Sequence, residues 1–290
     1  MQIEKKMFPR PQPRDLYVII PAAGIGSRMR ISDSKQFFKI GGVPVLARTL
    51  LAFEDFRVRL ALPLHVVIVT SLDNMDRVHA LIENYEISFV EKVVEGGATR
   101  QDSVAAGVSA LGTLERVPDG SDIVFIHDGA RCMVDFSTLQ ACFNGGMMYD
   151  VCVAATPCKN TIKLAAVSEF AGAGDAEIAA GNEAGSGTVL FEDKRPPLVE
   201  KTLDRSRLYE VQTPQVFKYR VLADVSARAQ EAGISATDDT ALAEALGVPV
   251  HLIPCSYGNI KITTPEDAAL AEFMLAKREK DEAAGKDSGD

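Results

Sequence analysis

The chain has 290 residues, 47% of them hydrophobic, which is enough to bury a sizeable core and fits one large α/β domain with additions. A formal net charge of −9 excludes a general nucleic-acid binder, because recognition of a phosphate backbone needs clustered positive potential. The five cysteines include no CxxC pair and no Cys/His cluster, and their odd number rules out a complete intrachain disulfide set, so a reducing cytosol fits.

Residues 1–14 read as an N-terminal extension, with Pro9, Pro11 and Pro13 among charges and no apolar run of a signal peptide. No segment approaches the ~18 consecutive apolar residues of a membrane span. A soluble, cytoplasmic protein without a membrane partner is expected.

Leu16–Ile20 is a short β-branched apolar run that enters Pro21-Ala-Ala-Gly24-Ile-Gly26, the composition of a buried strand ending in a tight turn. Similar strands are predicted at His65–Thr70, Asp122–His127 and Val151–Thr156, with amphipathic helices at Val45–Phe53, Met75–Asn84 and Asp102–Leu111 between them. Strands alternating with helices predict a largely parallel, right-handed αβα layer. From Leu164 to Pro197 the composition shifts to Ala, Gly, Glu and Ser, which predicts an inserted mobile loop. Ordered structure is expected to resume at Pro214–Phe217. A helix is predicted over Tyr219–Ala232, a second over Ala241–Leu246 capped from Thr237–Thr240, and a late strand over Val248–Pro254. Beyond Ala276 the lysine- and acid-rich tail, residues 277–290, is expected to fray.

Four groups of residues can carry chemistry. The first is Pro21-Ala22-Ala23-Gly24-Ile-Gly26-Ser-Arg28 with Lys35, at the C-terminal end of the first strand, where α/β sheets bind ligands. Small residues let main-chain N–H groups approach phosphate oxygens, and Arg28 and Lys35 supply the charge that amides lack. A Walker A loop is excluded because no Gly-Lys-Ser/Thr closes it, and a dinucleotide fingerprint because Met29 stands where a third glycine is needed. The second is Gly96-Gly97-Ala98-Thr-Arg100-Gln-Asp-Ser103, either a close approach to a base or ribose or a glycine turn with a helix cap. The third is His127-Asp128-Gly-Ala-Arg131, on the same rim, where a carboxylate can meet a metal or hydroxyl and an arginine a phosphate. A capped helix with a salt-bridged arginine accounts for the same letters. The fourth comprises Thr161, Arg205, Thr213 and Lys261, whose hydroxyls and cations suit a polyol phosphate although each reads singly as a surface residue. Scattered histidines and the lack of HExxH or GxSxG motifs argue against zinc and nucleophilic-serine chemistry.

In order and spacing these segments resemble the 2-C-methyl-D-erythritol 4-phosphate cytidylyltransferase family, from Leu16 to Leu275 apart from the inserted loop. The resemblance implies a Rossmann-like nucleotidyltransferase fold with a mostly parallel central sheet, spanning residues 15–276. It also implies a protruding β-arm at about 157–210 that interlocks a homodimer. CTP phosphates would lie on Ala22, Ala23, Gly24 and Gly26, and cytosine and ribose on Gly97, Ala98 and Ser103. Arg28, Lys35 and Lys261 would be the cations around the triphosphate, acting in catalysis together with Arg205. Asp128, Arg131, Thr161, Arg205 and Thr213 would hold the acceptor, with Thr161 and Arg205 supplied across the dimer. Mg²⁺ would be held mainly by the triphosphate, with Asp128 its candidate protein ligand.

The sequence departs from the family pattern at Cys132, where a proline is common, and at Asn160, where an aspartate is common. Ribitol 5-phosphate cytidylyltransferase is the neighbouring reading, though its first loop tends to Leu-Ala-Gly-Gly rather than Pro21-Ala-Ala-Gly24. A catalytically silent nucleotide-binding regulator is a further one. The length leads to the expectation that no fused cyclodiphosphate synthase is present.

Overall fold

The computed structural model describes residues 15–24, 34–166 and 198–287. Gly26 and Arg28, and most of the expected insertion, lie outside them.

The strands are β1 (Leu16–Pro21), β2 (Lys39–Ile40), β3 (Val43–Pro44), β4 (Leu64–Thr70), β5 (Val90–Glu95), β6 (Ile123–Ile126), β7 (Val151–Pro157), β8 (Lys163–Ala165), β9 (Val199–Thr202), β10 (Tyr209–Lys218) and β11 (His251–Pro254). The α-helices are α1 (Val45–Leu60), α2 (Met75–Asn84), α3 (Arg100–Leu111), α4 (Phe136–Met148), α5 (Tyr219–Glu231), α6 (Asp239–Ala245) and α7 (Pro265–Asp287). The chain divides into two units, residues 157–210 and the remainder.

In the larger unit a seven-stranded sheet runs β11-β7-β10-β6-β1-β4-β5. β1 pairs in parallel with both β4 and β6, β4 with β5, and β7 with β11, whereas β10 lies antiparallel to β6. The mostly parallel sheet expected from the alternation of strands and helices is therefore present. Parallel strands covered on both faces must be apolar throughout, and β1 meets that condition. Its Leu16, Val18 and Ile20 face a core completed by α1, α2 and α4, while Tyr17 and Ile19 face one completed by α3, α5 and α6. From β1 the order proceeds through β4 to β5 and then returns to β6 on the other side of β1. That reversal opens a crevice at the C-terminal ends of β1 and β6, the place where open α/β sheets receive ligands.

Several predicted boundaries move. α1 continues past Phe53 to Leu60, because its polar second half is laced by the pairs Glu54–Arg57 at 2.7 Å and Asp55–Arg59 at 2.8 Å. It stops where Ala61 turns left-handed. The late strand begins at His251 rather than Val248. The stretch expected as a loop from Leu164 starts inside a strand, since Lys163–Ala165 pairs antiparallel with Val199–Thr202 in the smaller unit. Chain order resumes before Pro214, at β9 and β10. The tail expected to fray stays helical to Asp287, as suits a stretch rich in Ala, Lys, Glu and Arg.

Candidate functional site

Close packing brings the first three predicted segments together at the crevice. A Cβ built on Gly96 would lie 3.1 Å from the Ala23 Cβ and 2.7 Å from Ser103 Oγ, so the second loop must carry glycine there to lie against the first. A Cβ on Gly129 would sit 3.3 Å from that of Ala22, which places the third loop on the other side of the first. The main-chain N–H of Ala22 donates to Val69 at 2.6 Å, tying the loop to the end of β4. Lys35 Nζ lies 4.0 Å from where a Gly24 Cβ would stand, so its ammonium overhangs the loop. Gln36, which the sequence reading passed over, is buried in the same turn, and its amide donates to the carbonyls of Ala22 and, at 3.1 Å, Gly24.

The second segment forms the capped turn that its letters allowed. Thr99 Oγ1 accepts from the Asp102 N–H at 3.0 Å and Asp102 Oδ2 from the Thr99 N–H at 3.0 Å, a reciprocal capping box. Ser103 is buried and donates to the Thr99 carbonyl at 2.9 Å. Gly97 and Ala98 remain exposed at the crevice.

The third segment is the electrostatic centre. Asp128 is nearly buried and meets three cations: Lys261 Nζ at 2.8 Å, Arg100 Nε at 3.4 Å and Arg131 Nε at 3.7 Å. Burial alone would raise its pKa, but Lys261 and Arg100 outweigh that and hold the carboxyl well below the usual carboxylate range. Arg100 also grips Asp239 at 2.6 Å. Burial pushes the Asp239 carboxyl up from its ordinary value even against the pull of Arg100. Arg131 Nη1 donates to the Asn259 carbonyl at 2.8 Å, and Asn259 Nδ2 to the Thr213 carbonyl at 2.7 Å. These bonds lock the third loop to the strand that carries Thr213 and to the segment that carries Lys261. Thr213 is buried, its Oγ1 accepting from the Asp128 N–H at 3.1 Å and lying 3.1 Å from His127 Nδ1. Burial pushes the His127 imidazole down to about 4.

Asp128, Arg131, Thr213 and Lys261 therefore converge, beside Ala22, Ala23, Gly24 and Lys35. Thr161 and Arg205 belong to the smaller unit, where Arg205 Nη1 donates to the Lys159 carbonyl at 2.9 Å. The sequence reading missed Arg100 and Asp239 as site residues. Asp239 was read only as part of a cap, but Asp238 performs the capping, accepting from Ala241 N–H at 2.9 Å, and so leaves Asp239 for Arg100. A doubled acid at a helix start, one more than a cap needs, was the available signal.

Among the described residues no group of three or more His, Cys, Asp or Glu side chains could hold a metal ion. Asp128, already neutralised by Lys261, offers at most one carboxylate. Such a donor set fits a cation carried on a nucleotide's phosphates and does not fit a resident protein-bound metal.

A family model described as 2-C-methyl-D-erythritol 4-phosphate cytidylyltransferase matches residues 16–175 and 188–277. The chain is 36% identical over 261 residues to the 2-C-methyl-D-erythritol 4-phosphate cytidylyltransferase of Geobacillus kaustophilus, a match covering 90% of this chain and 96% of that protein. It is also 36% identical over 265 residues to the bifunctional enzyme IspD/IspF of Desulfotalea psychrophila, covering 91% of this chain and 57% of that relative. Among solved structures it is similar to 2-C-methyl-D-erythritol 4-phosphate cytidylyltransferase from Thermus thermophilus. That likeness has a TM-score of 0.63 and 26% identity, and covers 90% of this chain and 98% of that one.

Proposed function

The chain belongs to the 2-C-methyl-D-erythritol 4-phosphate cytidylyltransferase family, and from that premise we propose that it transfers CMP from CTP to 2-C-methyl-D-erythritol 4-phosphate. The products are 4-diphosphocytidyl-2-C-methyl-D-erythritol and pyrophosphate, in the non-mevalonate route to isoprenoids. The observation that carries this reading is the 2.8 Å contact of Lys261 with Asp128 beside the Ala22–Gly24 loop. On this reading a triphosphate cation and an acceptor-side carboxylate meet at one point, where the α-phosphorus and the attacking oxygen would come together.

CTP lies with its phosphates along Ala22, Ala23, Gly24 and Gly26, and with its base and ribose over Gly97, Ala98 and Ser103. The acceptor lies against Asp128, Arg131 and Thr213, with Thr161 and Arg205 supplied by a neighbouring subunit. An acceptor phosphate whose second pKa is about 6 is largely dianionic at neutral pH, so its oxygen needs no strong general base. That oxygen bonds to the α-phosphorus while the bond from phosphorus to the β-bridging oxygen breaks in line, and pyrophosphate departs with the electron pair. Arg28, Lys35 and Lys261 stabilise the charge gathering on the phosphate oxygens in the transition state. Asp128 would be the candidate protein carboxylate for Mg²⁺ carried chiefly on the triphosphate, and the ion would supply further neutralisation there.

A homodimer of cytoplasmic subunits completes the reading. Its support is the run of exposed apolar side chains in the smaller unit, Ile162, Leu164, Leu198 and Val199, with Leu198 80% exposed. No helix among the described residues is long and apolar enough to cross a membrane.

The test is pyrophosphate release from CTP with purified protein, comparing 2-C-methyl-D-erythritol 4-phosphate, ribitol 5-phosphate and no acceptor. Release with the first alone is expected. Preference for ribitol 5-phosphate would replace the acceptor, and CTP binding without release would favour a silent regulator.

A further inference from the structure

His127 is fully buried, lies on the crevice rim and has no place in the phosphate chemistry. Its ring meets the Arg131 end of the Asp128–Arg131 loop directly and the Asp128 end through Thr213. Nε2 lies 3.2 Å from the Arg131 carbonyl, and Nδ1 lies 3.1 Å from Thr213 Oγ1. The proton placement follows from the partners. A carbonyl can only accept, so Nε2 carries the hydrogen and Nδ1 of the neutral ring must accept. The Thr213 hydroxyl therefore donates to Nδ1. The same oxygen accepts the Asp128 N–H at 3.1 Å. One lone pair of Oγ1 then remains, and the hydroxyl proton is committed to the His127 ring. The ring itself is wedged edge-on against Phe53, with centroids 5.3 Å apart, and the His127 N–H is bonded to the Ile19 carbonyl at 2.9 Å. It has no freedom to follow the loop, so the loop follows it.

We infer that His127 is a positioning residue for the acceptor half of the site. It orients the Thr213 hydroxyl as an acceptor and, chiefly through Thr213, holds the backbone on which the Asp128 and Arg131 side chains stand. This rests on the reading that those three residues serve the acceptor.

Two variants that keep a polar side chain separate positioning from packing. In His127→Asn the amide oxygen takes the place of Nδ1, so Thr213 keeps its acceptor. His127→Gln sets its amide near Nε2 and leaves Thr213 without one, although glutamine is closer to histidine in size. Positioning makes asparagine the milder change, and simple space-filling makes glutamine the milder. For His127→Gln we expect the acceptor KM to rise about tenfold and CTP affinity to stay within about twofold, as loss of one oriented hydrogen bond implies. The Asp128 amide should exchange about tenfold faster with solvent deuterium. His127→Asn should lie within about threefold of the parent in both measures.

Glutamine milder than asparagine, or CTP affinity lost as much as acceptor affinity, would overturn the inference. Amide exchange reads the loop without turnover. If the unaltered protein transfers nothing to 2-C-methyl-D-erythritol 4-phosphate, the functional reading falls, and unchanged Asp128 exchange in His127→Gln would bring down the positioning role separately.

Discussion

Asp128 and its three cations set the site's charge balance residue by residue. The carboxylate offsets Lys261, Arg100 and Arg131 while the site is without ligand, which lowers the cost of holding those cations together before substrate phosphates arrive. Lys35 is differently placed, over the Gly24 loop, where on the proposed mechanism charge grows mainly as the transition state forms. Lys35→Ala should therefore cut kcat by about 10²–10³, the usual effect of removing one preorganised charge partner, while CTP binding weakens much less. Steady-state kinetics beside calorimetric CTP titration would check it, and an unchanged kcat would remove Lys35 from the chemistry. The thiols give a second residue-scale expectation. Burial pushes Cys132 up to about 11 and Cys152 to about 12, and Cys142 well above its ordinary value. The thiolate is the reactive form, so these three should resist iodoacetamide near pH 8 in the native protein and react once it is unfolded. Fast native labelling at any of them, read by mass spectrometry, would contradict that burial.

At this scale the sequence revealed the segments that end strands, because glycines and a lone acid after an apolar run are local signals. Lys261 with Asp128 and Arg100 with Asp239 were not legible as pairs. Their partners lie far apart in the chain, and only the fold brings them together. His127 was set aside as one of several scattered histidines, since nothing local distinguishes a ring that holds a loop from one that fills a core.

Among the elements, α3 joins a structural cap to the segment proposed to hold the base and ribose. Its reciprocal cap uses Thr99 and Asp102, which leaves Gly97 and Ala98 exposed ahead of the helix N-terminus. Gly107 lets the helix press on β1, for a Cβ there would stand 2.5 Å from Ile19 Cγ2. Gly107→Ala should destabilise the fold by about 1–3 kcal/mol through overpacking, with a lower urea midpoint and an unchanged m value. An unchanged midpoint would mean that α3 shifts freely, and the close approach would then not fix the Gly96–Ala23 contact. Strand and helix identities were readable wherever an apolar run was short and bounded, as in β1, β4 and β7. Boundaries failed where pairing replaced burial as the cause of order. The polar half of α1 is held by ion pairs, and β8 is held by β9 across the chain rather than by any apolar pattern of its own.

In the whole molecule, the sheet order places the loops after β1 and β6 on either side of one crevice, so fold and site are a single consequence of the reversal at β1. Thr161 and Arg205, proposed to hold the acceptor, sit in the smaller unit, and their proposed assignment across a dimer would tie activity to assembly. Sedimentation equilibrium should return twice the chain mass at micromolar concentration. A monomer that still turns over would detach Thr161 and Arg205 from the neighbouring subunit's site.

The proposed transfer is direct and in line, driven by charge and position with no enzyme nucleophile. It is tested most directly by supplying one diastereomer of CTP carrying sulfur on the α-phosphorus, with 2-C-methyl-D-erythritol 4-phosphate, and determining the configuration at that phosphorus in the product. A single displacement inverts it, and inversion is the expected result. Retention would require two displacements through a covalent intermediate, and would contradict the account.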